Sequence, residues 1–440
     1  MSESTKPQSP FTEAAVYTGA NIINAVIPFL LLPILTRILS PAEYGLVAMF
    51  QTVLAIFGVF TGAGFHAAVR TRYFKMDSDR FPVYTGVCML LMTLTTMITL
   101  GVVTLLLEPL AAFTSLDTNL LLLAVIVSAM QFYAQIRLVI WQVKRKPFAY
   151  SIFQILQSIM NLGLSLYLVV ALSEGAQGRI NGIAITIFVF GLIAIITLFY
   201  TRQAKPGLNR DDAVSALKFS LPLIPYSLTA MLVLMADRFI LNSTLGVESV
   251  GIYFVALQLA IPITVITDGI NRAFTPWCYE KMQREHHHFM IATTYLLMLI
   301  FVAITLLYCI SIYFLFDIIV GPTYQQGITI TLILAVAACL HACTMMVSKG
   351  VFYAEKTERL PLITITLGAS YIVVAIAMVE NFGLLGLACS YLGYKLISMP
   401  VFWKVSYHAY PQPWTDFSPV FAEVKRIIAT LITSFLKKIS

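Results

Sequence analysis

The chain has 440 residues, of which 59% are hydrophobic and only 11% charged, with a formal net charge of +7 and a pI near 9.0. A soluble domain averages about 25% charged residues, so the composition excludes a soluble globular protein and predicts an integral membrane one. The basic excess is not that of a nucleic-acid binder, because it sits where membrane orientation and anionic lipid require it.

Residues 1–10 (MSESTKPQSP) are predicted to be a disordered tail. The first apolar run, at about 14–36, is too long for a signal-peptide core and has a polar rather than basic flank, so it predicts a retained span. Eleven further runs follow, with edges near 45–67, 82–107, 119–141, 150–172, 180–200, 219–243, 249–270, 289–316, 327–348, 361–380 and 383–407. At about 1.5 Å rise per residue, each reaches across a hydrocarbon layer roughly 30 Å thick.

Lys and Arg fall on alternate connectors. Arg70, Arg72, Lys75 and Arg80 follow run 2, and Lys144, Arg145 and Lys146 follow run 4. Arg202, Lys205, Arg210 and Lys218 follow run 6, Arg272, Lys281 and Arg284 follow run 8, and Lys349, Lys356 and Arg359 follow run 10. The opposite connectors offer only Arg37 and Arg179, with Arg238 near the mouth of run 7. Short basic loops stay cytoplasmic, which predicts about twelve spans with both termini inside. The longest connector, 201–218, divides the runs six and six. It predicts an N-terminal six-helix lobe over 1–203 and a C-terminal one over 204–410, both all-α.

The halves echo each other. Run 1 carries Pro28 and Pro33 and leads to Arg37, Glu43 and Gly45; run 7 carries Pro222 and Pro225 and leads to Arg238, Glu248 and Gly251. Six is even, so both repeats enter the membrane the same way round, with an axis along its normal and a cleft between the bundles. The prolines predict bent helices. Gly58 and Gly62 on run 2 read as close helix packing. Residues 411–440 place Val420, Phe421, Val424, Ile427, Ile428, Leu431, Ile432 and Phe435 on one helical face, which predicts an amphipathic helix lying on the cytoplasmic leaflet.

No nucleophile elbow, Walker loop or zinc-protease motif is present, and no long extracytoplasmic loop offers room for catalysis, so an enzyme is not expected. No cofactor or metal is expected either. The six cysteines show no framework spacing; Cys339 and Cys343 read as packing, and His286, His287 and His288 as solvated surface. Ionisable residues inside spans carry the functional signal, because each is costly against lipid. Arg137 lies in run 4, Asp237 and Arg238 in run 7, Asp268 in run 8 and Lys395 midway along run 12. Arg37 either snorkels to the outer interface or faces the cleft, and Arg70 is either a topology determinant or a ligand. Asp237 and Arg238 should point about 100° apart on a helix and not simply cancel. Asp268 either pairs with Arg272 one turn on or binds a proton or sodium ion. A cleft rich in Arg and Lys suits a phosphate or pyrophosphate, which the guanidinium fork grips through two oxygens.

The segment Leu32–Gly45 (LPILTRILSPAEYG) resembles the opening of O-antigen and capsular polysaccharide flippases of the Wzx type, as does Gly62–Phe74 (GAGFHAAVRTRYF). Asp237–Leu241 with Val250–Tyr253 is similar to their seventh-helix signature. The likeness covers about residues 11–410 and implies membership of the multidrug/oligosaccharidyl-lipid/polysaccharide exporter superfamily. It implies two like-oriented lobes, alternating access and a cationic cavity, to which Arg137, Arg238 and Lys395 are the best positional matches. The implied cargo is an undecaprenyl-pyrophosphate-linked oligosaccharide, an O-antigen (lipopolysaccharide) or capsular repeat unit, moved across a bacterial inner membrane. Membrane lipids, a coupling proton or sodium ion, and glycan polymerase and chain-length proteins are the implied partners. A drug/cation antiporter of the same fold is the close rival; a membrane-embedded glycan-modifying enzyme or an assembly scaffold are more distant ones.

Overall fold

The computed structural model describes residues 19, 24, 27, 29–207, 209–358, 360–416 and 421–426. The predicted tail at 1–10, Pro28, Arg359 and most of the predicted amphipathic helix lie outside the described residues. The described residues are helical and connecting structure without strands. In chain order the helices are α1 (Phe29–Ile38), α2 (Pro41–Gly62), α3 (Phe65–Tyr73), α4 (Phe81–Leu105), α5 (Leu107–Thr114), α6 (Thr118–Val143), α7 (Pro147–Leu166), α8 (Gly175–Tyr200), α9 (Arg210–Ser220), α10 (Leu223–Thr244), α11 (Val247–Gln283), α12 (His287–Ile319), α13 (Gly327–Val347), α14 (Lys349–Tyr353) and α15 (Leu360–Ala409).

Among the described residues, ten helical segments are long and apolar enough to cross a membrane. Two features separate this figure from the twelve runs of the sequence. Run 1 is described only in part, as α1. Runs 11 and 12 form the 50-residue α15, which is interrupted at Gly383, whose φ of 58° and ψ of −141° are not helical. Exposed Leu299, Leu306, Leu307 and Ile310 on α12, like Leu90, Leu94 and Met97 on α4, give these helices the outward apolar surface that lipid requires.

The helix ends follow local chemistry. Ser40-Pro41-Ala42-Glu43 opens α2 as a capping box: Glu43 N–H donates to Ser40 Oγ (3.3 Å), and Ser40 N–H donates to Glu43 Oε2 (2.9 Å). Ser40→Ala should lower stability by about 1 kcal/mol, read as a fall in the thermal midpoint of the detergent-purified protein. The prolines of run 7 fall at a helix break near the start of that run. Pro222 stands between α9 and α10, and Pro225 falls in the first turn of α10, where a missing N–H costs little. Run 2 ends earlier than its apolar pattern, because Ala63 and Gly64 adopt left-handed backbone between α2 and α3.

The chain divides into two compact units. Unit 1 comprises Met1–Phe254 with Ile319–Tyr324, and unit 2 comprises Val255–Ile318 with Gln325–Ser440. Within unit 1 the core lies between α2, α3, α4, α6 and α8. A Cβ on Gly58 would lie 2.8 Å from the Phe132 ring, and one on Gly62 would collide with it, so these glycines let α2 close on α6. Polar contacts join α2 to α6, where Thr61 Oγ1 and Ser128 Oγ are 3.0 Å apart, and to α4, where Thr95 Oγ1 donates to Thr61 O (2.9 Å).

The two repeat openings meet within unit 1. A Cβ on Gly45 would collide with Val247 O, and a Cβ on Gly251 would collide with Pro41 O. Each glycine thus faces the residue four before the other. The surrounding turns follow the same rule. Gly321 N–H donates to Thr36 Oγ1 (3.1 Å) and Tyr324 O–H to Leu39 O (2.9 Å), so the turn after run 9 grips the end of run 1. Asn242 Nδ2 donates to Phe113 O (2.9 Å) and Phe113 stacks on Phe239, so the turn after run 3 grips the end of run 7.

Unit 2 packs α13 against α15, with a core of Phe274, Met290, Ile291, Phe301 and Met346. Cys339 and Cys343 are buried in that core. The segment after α15 folds back on it: Trp414 is buried and its carbonyl accepts from the Tyr295 hydroxyl (2.8 Å).

Candidate functional site

Unit 1 holds a partly open cavity of about 480 Å³ lined from α1, α2, α6, α7, α8, α10 and the start of α11. Arg179 and Arg238 both line it, beside Gln51, Gln131, Gln157, Ser158 and Asn161. Each arginine is only 9% exposed.

Arg179 reaches the cavity because α7 and α8 approach closely on either side of it. A Cβ on Gly178 would sit 3.0 Å from the Leu168 carbonyl carbon, and one on Gly182 2.6 Å from Ser165 Oγ. The guanidinium Nη1 then donates to Asn161 Oδ1 (2.7 Å) and to Ser165 Oγ. Two residues past Ser165 the backbone loosens into a π-helical turn, Tyr167–Ala171, of the kind that often marks functional helices. Among the described residues the hydrogen-bond partners of Arg179 are these neutral oxygens, with no carboxylate among them. Among the described residues this buried cation is therefore met by neutral dipoles alone, and burial of a charge is costly until a counter-charge meets it.

Arg238 differs. Its Nη1 contacts Asp237 Oδ1 at 3.0 Å, the same oxygen accepts the Arg238 backbone N–H at 2.9 Å, and its guanidinium lies 5.3 Å from the centre of the Phe254 ring. The expectation that Asp237 and Arg238 diverge is therefore corrected. Adjacent Cα–Cβ vectors do diverge on a helix, but the long arginine stem folds back to the carboxylate, which burial favours. Among the described residues the cavity is thus lined by two guanidinium groups, one of them paired with the neighbouring Asp237.

Its α7 wall is polar along one stripe. Gln154, Gln157, Ser158 and Asn161 recur at helical spacing, with Ser165 one turn further. Asn24 ties this stripe to run 1, donating to Gln154 Oε1 (3.1 Å) and accepting from Ser158 Oγ (2.7 Å).

The other sequence candidates lie elsewhere. Arg137 is buried beside α8, 4.4 Å from the Trp141 ring centre, and donates to Thr201 Oγ1 (3.2 Å); it does not line the cavity. Arg37 at the end of α1 and Arg70 on α3 are exposed. In unit 2, half-buried Lys395 lies 3.5 Å from His341 Nδ1 and 5.0 Å from the centre of the Tyr394 ring. Asp268 shares a cavity of about 240 Å³ with Arg272, Asn271, Thr275 and Lys349. There Lys349 is buried and donates to Asn271 Oδ1 and Thr275 Oγ1, both at 2.6 Å. The structure therefore brings Arg238 and Asp237 together with Arg179, which the sequence reading left on a connector. The signal available was the pair Gly178 and Gly182 flanking a lone arginine at the start of a run.

The fold defines a class: a multi-pass, all-helical membrane protein. The lipid II flippase MurJ in its inward closed conformation superposes with a TM-score of 0.68 at 14% identity, covering 97% of this chain and 93% of that one. An inward-facing MATE-family multidrug resistance transporter of the MOP superfamily gives 0.63 at 16% identity, covering 89% and 94%. A profile of the polysaccharide biosynthesis protein family matches residues 12–282, and the chain belongs to that family, as its resemblance to Wzx-type flippases implied. Two Haemophilus influenzae proteins are similar to it: "Lsg locus putative protein 1", 23% identical over 286 residues, and an uncharacterized membrane protein, 24% identical over 285. Each match covers 62% of this chain, and 67% and 66% of those relatives.

Proposed function

We propose that the protein is a flippase that moves an undecaprenyl-pyrophosphate-linked oligosaccharide, an O-antigen or capsular repeat unit, across a bacterial inner membrane by alternating access. The observation that carries this reading is the buried Arg179, whose bonds among the described residues are to neutral groups, in a cavity that Arg238 also lines. A pyrophosphate supplies the missing negative charge and enough oxygens for a guanidinium fork. The amides and hydroxyls of the α7 stripe offer donors and acceptors of the kind that sugar hydroxyls use. The polyprenyl chain stays in the bilayer, where its transfer into a polar cavity would be unfavourable. A drug/cation antiporter fits less well, because organic cations would meet an excess of arginine. The six-and-six division at 203/204, and both termini on the cytoplasmic face, belong to the same proposal.

The test is reconstitution. Purified protein in liposomes should transfer a fluorescent polyprenyl-pyrophosphate oligosaccharide between leaflets, while the matching polyprenol lacking phosphate is not transferred. Equal transfer of both lipids, or of neither, rejects the reading.

A further inference from the structure

One end of unit 1 gathers basic connectors, and one place among them is built rather than merely charged. α3 and α9 lie against each other and against α4. Arg80 Nη2 contacts Asp212 Oδ1 at 3.0 Å, with the carboxylate buried, which pins α9 to the start of α4. Arg72 donates to Ser215 Oγ and lies 5.9 Å from the Tyr84 ring centre, which pins α9 to α3. The shallow, open pocket there, about 510 Å³, is lined from α3 by Arg72 and from α9 by Arg210, Lys218, Asp211 and Ser215, with the apolar Val214 and Phe219.

Three cations against one carboxylate favour an anion. Val214 and Phe219 are 42% and 40% exposed, so the same pocket presents apolar surface that an inorganic ion would not use. α9 also leads across Pro222 directly into α10, a run with the composition of a membrane helix. A short helix carrying both basic and apolar groups at the edge of a spanning helix matches one ligand class, a phosphate ester that bears acyl chains.

We propose that the pocket between α3 and α9 binds the phosphate headgroup of an anionic membrane phospholipid. Arg72, Arg210 and Lys218 meet the phosphate, and Val214 and Phe219 meet the start of the acyl chains. This site is separate from the Arg179 cavity and does not depend on the cargo read there. Its occupant fastens α9, the segment that joins the first six runs to α10.

Native mass spectrometry of the full chain, released from nanodiscs of equal phosphatidylglycerol and phosphatidylcholine, tests the proposal. The wild type should retain one phosphatidylglycerol in clear preference to phosphatidylcholine, a comparison that needs no variant to fold. R72Q/R210Q/K218Q should lose that retention by about 100-fold, at roughly a factor of five per basic residue. K75Q/R145Q/K146Q removes the same charge from exposed positions outside the pocket and should retain the lipid as the wild type does. Equal loss in both triple variants would show diffuse charge and overturn the site, as would equal retention of the two lipids by the wild type. Displacement of the lipid by millimolar inorganic phosphate would overturn the lipid assignment in favour of a free anion.

Discussion

Arg179→Ala should leave a protein that folds and inserts but transfers its cargo at least tenfold more slowly. Alanine removes a buried cation whose partners among the described residues, Asn161 and Ser165, are neutral, so no described carboxylate is stranded in the interior. Stability should therefore change by no more than about 1–2 kcal/mol, the scale of the lost hydrogen bonds. Affinity for a pyrophosphate headgroup should fall by about 10- to 100-fold, the scale of a lost charge-assisted fork. Arg179→Lys should recover only part of this, because an ammonium keeps the charge but not the planar geometry. Transfer rates in liposomes, measured beside thermal midpoints, separate the two effects. Wild-type transfer by the alanine variant would remove Arg179 from the headgroup site.

The second large effect is structural. Gly45→Leu and Gly251→Leu should each destabilise the protein by about 3 kcal/mol or more, at the upper end of overpacking costs. In both cases the obstacle is a backbone carbonyl, Val247 O or Pro41 O, and not a side chain that can swing aside. The double variant should cost less than the sum of the singles, because one separation of α2 from α11 relieves both collisions. Yield in membranes and the thermal midpoint after extraction report the loss. A normal midpoint in either single variant would show that the close approach is dispensable.

Much of the architecture could be read directly from the chain. Apolar runs of membrane length and the Ser40-Pro41-Ala42-Glu43 signature each express a constraint that acts within a few residues. The site was less legible, because its residues are defined by which helices touch. Arg179 looked like a connector residue, since its helix begins at Gly175 and the apolar run only at about 180. Lys349 looked like a topology determinant for the same reason, yet it is buried against Asn271 and Thr275. Arg137, a cavity candidate by its place inside run 4, lies over a tryptophan one turn away. The stripe on α7 was legible in principle, but four neutral side chains spread over eight residues do little to lower the apolar character of a run.

The reciprocal meeting of Gly45 and Gly251 has the form of an isologous interface, in which one patch docks against its own duplicate. A contact so paired also locks the sliding of one helix along the other: a shift of α2 by a single residue would bring a Cβ onto Val247 O or Pro41 O, so the two glycines together hold the register of α2 against the start of α11.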